Sequence, residues 1–387
     1  MFTTLHNVRV AAIRSAVPSQ EIRLDDELEF YGGSARKVAR LKTTLGMDRR
    51  RVCPDGVTAS DLCAHAAEAL FHAYPDARGA VDALIFVSQS PDWRSPATAC
   101  ELQHRLGLPK SCAALDVNQG CAGYVYGLWL GSGLVASGAA RRVLLLVGDA
   151  HPYGRDVRNR ITASVFGDGG SATLLERDGN AEPMRFGLGT DGSGFETIIV
   201  PAGQARIPFI RDAAKNEPLV RSTLDPGGNP WQMCETFMDG GAVFNFTMDV
   251  VPAHMTELLA YAGMSSGDID WLLLHQANRQ IVENLASKSG FPLAKAPAES
   301  FGRYGNTASA SIPIAICDRF GSGDALSGRV LLCGYGVGLS WASCLCRMDT
   351  VNCAPVLDVE ADPARPSRED LIRRWERIFK GEEKPHD

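Results

Sequence analysis

A chain of 387 residues with 45% hydrophobic content can bury a large core, enough for two domains or one of double size. Its net charge of −6 leaves no broad basic footprint for nucleic acid, no Lys/Arg block marks an anionic membrane surface, and no apolar run reaches the length of a bilayer span. The 11 cysteines are an odd number, with no CxxC pair and no metal-ligand spacing to the 8 histidines, so they read as reduced core side chains of a cytoplasmic protein. Residues 1–6 lack the apolar core of a signal peptide, which fits the same expectation.

In chain order, the first strong pattern is the acidic-led apolar run at 81–87. A continuous run, rather than an alternating one, is expected of a strand covered by helices on both faces. A helix ending at Arg105-Leu106-Gly107-Leu108-Pro109 follows. Next, the short strand Leu115-Asp116-Val117 passes through Asn118-Gln119-Gly120-Cys121 into a stretch, 117–139, dense in Gly and Ala. That stretch reads as a helix buried between two sheets, where small residues permit close packing. Cys121 then stands at a buried helix N-terminus, where the dipole and free backbone N–H groups are expected to lower its pKa. Residues 140–146 form another apolar strand, and 177–240, richer in Gly, Pro and polar residues, read as loops and short strands that cap the site.

The pattern then repeats. Residues 269–275 echo 81–87 at an offset of 188, and 327–333 echo 140–146 at an offset of 187. Between them, Lys288-Ser289-Gly290-Phe291-Pro292 echoes the helix end at 105–109. Two copies of one strand–helix–strand unit argue for a duplicated α/β fold. Its halves are expected at 1–176 and 241–350, with the cap at 177–240 and a charged tail at 351–387. In the tail, Ser367-Arg368-Glu369-Asp370 resembles a capping box, and Leu371, Ile372, Trp375, Ile378 and Phe379 follow at helical spacing. That stripe is expected to pack on the body or across a dimer.

Three residues stand at the ends of apolar strands or at helix entries: Cys121, His275 of His275-Gln276-Ala277-Asn278, and Asn306 of Gly305-Asn306-Thr307-Ala308-Ser309. A thiol, an imidazole and an amide so placed make acyl transfer the leading reading. The bland alternative is a helix-start cysteine, a satisfied core histidine and an Asn turn.

At these residues the chain resembles the β-ketoacyl-acyl-carrier-protein synthase III family of the thiolase superfamily. The resemblance runs from about residue 7 to 348 and rests on Gly120-Cys121-Ala122-Gly123, His275-Gln276-Ala277-Asn278 and Gly305-Asn306-Thr307 with Ser309 and Ser311. Phe166-Gly167-Asp168-Gly169-Gly170 and Gly334-Tyr335-Gly336-Val337-Gly338 support it. It implies a duplicated thiolase-like five-layered αβαβα fold, here with a C-terminal helical extension. It also implies a nucleophile at Cys121, an oxyanion hole from the backbone N–H groups of Cys121 and Val337, and enolate donors at His275 and Asn306. The implied reaction is a decarboxylative Claisen condensation of a Cys-bound acyl group with a malonyl thioester, in fatty-acid initiation or a specialised acyl or polyketide pathway. Acyl-CoA or an acyl-carrier-protein thioester would donate the acyl group, no cofactor would be bound, and the protein would be a homodimer.

Departures from the family pattern fall at the binding positions. Arg40 stands where many members have an adenine-stacking Trp, and Thr44 replaces a family Arg, whereas Arg160 matches the second adenine-side Arg. Gln280 replaces a basic carrier-docking residue, with Arg279 beside it, and Ser95 replaces a Phe that closes the neighbour's acyl pocket. Acyl transfer from Cys121 to a hydroxyl or amine, or a non-catalytic partner subunit of a condensing heterodimer, are the alternative readings.

Overall fold

The computed structural model describes residues 1–151, 158–323, 326–349, 351–362 and 365–384. The first half comprises β1 (Phe2–Leu5), β2 (Val8–Pro18), α1 (Ala35–Leu45), α2 (Ala59–Ala73), β3 (Ala83–Val87), α3 (Thr98–Arg105), β4 (Ala113–Val117), α4 (Gly123–Ala136), β5 (Arg142–Asp149) and β6 (Gly169–Arg177). The second comprises β7 (Met184–Thr190), α5 (Gly240–Tyr261), β8 (Trp271–Leu274), α6 (Arg279–Lys288), α7 (Ser311–Phe320), β9 (Arg329–Gly336) and β10 (Ser340–Arg347). The tail adds β11 (Asn352–Cys353), β12 (Leu357–Val359) and α8 (Arg368–Phe379).

Strand pairing displays the duplication. One sheet runs β2–β6–β5–β3–β4 and the other β7–β10–β9–β8, in the same order. The directions also match: β2/β6 and β7/β10 are antiparallel, β5/β6 and β9/β10 antiparallel, β3/β5 and β8/β9 parallel. Each sheet gains an outer strand from the opposite end of the chain. β1 pairs with β7, while β11 and β12 pair with β2.

Successive side chains of a strand face opposite ways, so a strand buried on both sides must be apolar throughout. In β3, Ile85 and Val87 pack on the middle layer, while Leu84 and Phe86 pack outward against α2 and α3. α4 and α7 form that middle layer, with Val125, Leu128, Ile312 and Ile316 between the inner faces of both sheets. α5 and α6 cover the second sheet through Val251, Leu258, Ile281 and Leu285. The result is the five-layered αβαβα arrangement of the thiolase fold.

Three differences from the sequence reading have physical causes. The buried helix begins at Gly123 rather than 117, because residues 118–122 form the turn that carries Cys121. Within 177–240, β7 is a strand of the second sheet, and only Met184, Phe186, Gly187 and Leu188 of it are buried, so a glycine-interrupted strand escaped the apolar-run criterion. The rest of that stretch does form short strand pairs, 198–199 with 237–238 and 223–224 with 230–231. Finally, Ser367 and Asp370 do make the capping box of α8, yet Ile372, Trp375 and Phe379 are exposed on the single chain, so of the two expected placements the stripe does not take the one on the body. The tail is held instead by its strand pairing and by Arg365, which pairs with the buried Asp61 on α2 and lies 3.9 Å from Glu101 on α3.

All eleven cysteines are free thiols, and Cys100, expected in the core, is on the surface. No helix among the described residues is long and apolar enough to cross a membrane. These contacts divide the tail into two parts. Truncation after residue 366 should leave the melting temperature within about 1 °C, since α8 buries little. Truncation after 350 removes β11, β12 and the Arg365 pair and should lower it by several degrees, on the order of 2–4 °C for each kcal/mol lost. Differential scanning calorimetry of both truncations checks this.

Candidate functional site

β4 ends at Val117, and the turn into α4 is tightened by a 2.6 Å hydrogen bond from the Gly123 N–H to the Gly120 carbonyl. Glycines crowd Cys121 from the facing end of β9. A Cβ on Gly336 (φ 153°) would lie 2.8 Å from the Cys121 Cβ and 3.0 Å from its sulfur, and one on Gly334 2.7 Å from the Ala122 Cα. The sulfur also meets the backbone N–H of Val337, the next residue. Cys121 is half-buried, with its sulfur against the end of β9. Burial pushes the thiol up to about 12, with the Val337 N–H opposing and the charge of Asp149 adding to the rise. The expectation of a lowered pKa is therefore wrong for the unacylated protein: desolvation outweighs the helix-terminal N–H groups.

His275 follows the last residue of β8, and its N–H donates to the Cys333 carbonyl at 2.8 Å. Its own carbonyl accepts from the Tyr335 hydroxyl at 3.0 Å, and the two rings meet edge to face at 5.4 Å. Nδ1 lies 2.6 Å from the Ser311 Oγ at the start of α7. Burial pushes the imidazole down to about 3, so it is neutral at physiological pH.

Asn306 follows Gly305, whose φ of 77° and contacts leave no room for a side chain: a Cβ there would lie 2.9 Å from the Arg50 Cβ. The Asn306 N–H donates to the Val165 carbonyl and its carbonyl accepts from the Gly167 N–H, stitching it to the first half. The Asn306 Oδ1 accepts the Ala308 N–H at 3.0 Å, which leaves the Nδ2 end as a donor. These three residues belong to one neighbourhood. Tyr335 and Gly336 are consecutive, one against His275 and the other against Cys121, and the Ser309 Cβ lies 3.2 Å from the Cβ position of Gly123.

The sequence reading missed Asp149 at the end of β5. It is buried and accepts hydrogen bonds from the Gln89 and Ser309 N–H groups, at 2.7 and 3.0 Å. Burial raises its carboxyl pKa, opposed by those bonds. A carboxylate directly after an apolar strand was the available signal, the same placement that pointed to Cys121 and His275.

The binding positions are more dispersed. Arg40 is exposed on α1, and Arg279 at the start of α6 lies over Gly46, which closes α1, while pairing with Glu283 at 2.7 Å. Arg160 bears on Tyr31 just before α1, but its guanidinium is engaged by Asn229 and the Gly227 carbonyl. Ser95 lies apart from them on an exposed loop whose base is held by Asp92 and Thr98.

Residues 115–192 match the family model for 3-oxoacyl-[acyl-carrier-protein] synthase III, and residues 259–348 match the model for its C-terminal part. The β-ketoacyl-[acyl-carrier-protein] synthase III 3 of Streptomyces coelicolor is 34% identical over 340 residues, 86% of this chain and 95% of that protein. A β-ketoacyl-[acyl-carrier-protein] synthase III of Rhodopirellula baltica is 31% identical over 363 residues, covering 89% and 99%. The chain belongs to the synthase III family. A crystal structure of a 3-oxoacyl-(acyl-carrier-protein) synthase from Burkholderia xenovorans superposes with a TM-score of 0.82 at 38% identity, covering 93% of this chain and 99% of that one. The protein is thus an enzyme of the condensing-transferase type, and the family match stops at 348, short of β11, β12 and α8.

Two buried imidazoles give the synthase a predictable acid response. Besides His275, His254 is held down to about 4 by burial between Phe2 and Trp341. Both are neutral in the folded protein and take up protons on unfolding once the pH drops below about 6.5. Their contribution to stability is fully present above that value and is lost as the pH falls towards about 4 for His254 and about 3 for His275. Urea midpoints should therefore decline from pH 7 to pH 4, and H254F should decline less steeply. Parallel profiles for the two proteins would contradict a buried neutral His254.

Proposed function

We propose that the enzyme joins an acyl group carried on Cys121 to a malonyl thioester with loss of CO2, initiating a fatty-acid or polyketide chain. What supports this reading is the pair of neutral donor groups, His275 and Asn306, each with a fixed partner, His275 sharing the Tyr335–Gly336 end of β9 with Cys121. A hydrolase or simple acyltransferase has no use for two further donors, whereas a decarboxylation that leaves an enolate does.

In the first step the Cys121 sulfur attacks the thioester carbonyl, and the N–H groups of Cys121 and Val337 receive the developing oxyanion. The tetrahedral intermediate expels the donor thiolate, which takes up the proton that Cys121 lost. The resting thiol, at about 12, is not ionised beforehand, so its proton is given up as the carbon–sulfur bond forms. In the second step the malonyl carboxylate leaves as CO2 and its electron pair becomes an enolate, whose oxygen accepts from the His275 ring N–H and the Asn306 Nδ2. For His275 this requires the Ser311 hydroxyl to donate to Nδ1, placing the proton on Nε2. The enolate carbon attacks the acyl-Cys carbonyl, the carbon–sulfur bond breaks, and protonation restores the Cys121 thiol with release of a β-ketoacyl thioester. The scheme requires no resident cofactor.

Acyl-carrier protein or CoA delivers the thioesters past Arg40, Arg160 and Arg279, which gather around the α1 arm as a basic rim for an acidic carrier. The carrier suits this rim better, because Arg40 offers no indole for adenine. The enzyme acts as a homodimer. β4 is a sheet edge that exposes Leu115, and the Ser95 loop beside it is free on the isolated chain, as expected of surfaces that a second copy covers.

Intact-protein mass spectrometry should show one acyl adduct that is lost in C121A. An adduct that persists in C121A, or CO2 release that does not depend on malonyl thioester, would overturn the reading. H275A and N306A should each keep the adduct but lose about 10²–10³ in condensation rate. Their combined loss should be less than the product, because both act on one enolate. Sedimentation equilibrium at micromolar concentration should give twice the 41.6 kDa chain mass, and a monomer would refute the dimer.

A further inference from the structure

The proposed chemistry makes no use of Asp149, yet this side chain is only 3% exposed and joins the two halves beside the site. Its Oδ1 accepts the Gln89 N–H at 2.7 Å and, more distantly, the Ser88 hydroxyl at 3.4 Å. Its Oδ2 accepts both the N–H and the hydroxyl of Ser309, at 3.0 and 2.5 Å. Ser309 lies in the turn that begins with Asn306 and ends with Ser311, the partner of His275.

Three contacts in that turn bear on the site, and the Ala308 carbonyl also faces the His275 ring. The Ala308 N–H holds the Asn306 Oδ1, the Ser309 N–H and hydroxyl hold Asp149, and the Ser311 hydroxyl holds the His275 Nδ1. The backbone at Ala308 has a φ of 46°, which a residue with a side chain adopts only where its surroundings impose it. A carboxylate oxygen is an acceptor on all sides, so Oδ2 can take two donors from one residue, where an amide nitrogen would oppose the Ser309 N–H and reverse the bond to its hydroxyl.

We infer that Asp149 is the positioning residue for condensation: acting through Ser309 from across the boundary between halves, it fixes the turn that aims Asn306 and orients His275. The inference rests on the condensing reading above. It separates the two half-reactions in direction: the turn carries the condensation donors, whereas the only bearing of Asp149 on Cys121 named above, its charge, raises the thiol pKa, so removing that charge should not slow acylation.

The test compares wild type, D149N, S309A and the double variant in three measurements. These are the rate of Cys121 acylation by intact mass, kcat and KM for condensation with malonyl thioester, and the melting temperature. D149N keeps an oxygen for the Gln89 N–H but sets an NH2 against the Ser309 donors. A displacement of about 1 Å at a reacting centre costs on the order of 10² in rate. D149N should therefore lose about 10–100-fold in kcat, with acylation no more than about threefold slower than wild type and the malonyl KM within about threefold. S309A, which retains the backbone bond, should lose less, and the double variant no more than D149N, since both act on one contact. D149N condensing within threefold of wild type would overturn the inference, as would acylation and condensation falling together. If D149N does not fold, the split is read in S309A, where equal effects on both half-reactions overturn it. Wild-type protein that forms no Cys121 adduct or releases no CO2 would instead refute the condensing reading itself.

Discussion

The geometry of the site depends on how closely α4 lies against the first sheet. Gly123, Gly127 and Gly131 recur every fourth residue and so share one face of the helix. A Cβ at these positions would lie 2.8 Å from Val87, 2.6 Å from Leu145 and 2.6 Å from Leu175. Adding even a methyl group would force the helix outward, and overpacking of this kind costs about 1–3 kcal/mol. The more consequential effect is positional. Cys121 sits one turn before the stripe and meets Gly336 at van der Waals distance, so a helix lifted from its sheet would drive the sulfur into the end of β9. The glycine stripe and the glycines of β9 are two parts of one fit.

That dependence explains what could be read from the sequence. The strands at 81–87 and 269–275 were legible because burial on both faces leaves no polar position to confuse the pattern, and the constant offset exposed the duplication. β7 was hidden by the reverse condition: its two glycines serve close packing instead of apolar burial, Gly187 against Phe2 and His254 and Gly189 against Trp341. Cys121 and His275 stood out because they follow the ends of apolar strands, and Asn306 because it follows a glycine with positive φ at a helix entry. Asp149 occupies the same kind of place, but its meaning lies in Ser309, far away in sequence. The thiol pKa failed for a related reason, since a helix terminus is local and can be read from neighbours, whereas enclosure by β9 is tertiary.

Desolvation acts on the nucleophile and on the imidazole in the same sense, towards neutrality. Burial pushes the thiol up to about 12 and the imidazole down to about 3, and it raises the Asp149 carboxyl as well. A neutral donor is the better partner for this reaction. An imidazolium would attract the malonyl carboxylate in the ground state and hold back the CO2 that must leave, whereas a neutral N–H gains most as charge moves onto the enolate oxygen. In a dry site each such bond is stronger than in water, so neutrality costs little in the transition state.

Since Cys121 belongs to the first half and His275, Asn306 and Val337 to the second, the proposed reaction requires the halves to be held in one relation. The chain provides ties at several depths. At the periphery, β1 crosses to the second sheet and β11 with β12 returns to the first, so neither half is completed by a contiguous segment. In the interior, Phe166 and Asn306 form an isolated parallel bridge, and Asp149 reaches Ser309. The outer ties set the stacking of the sheets to within the tolerance of apolar packing. Only the inner, directional bonds can set an amide nitrogen against a particular enolate oxygen, because hydrogen bonds weaken steeply with misalignment and apolar contacts do not. The division of labour therefore runs from strand exchange, which makes one body of two halves, to a few polar contacts that make one site of it.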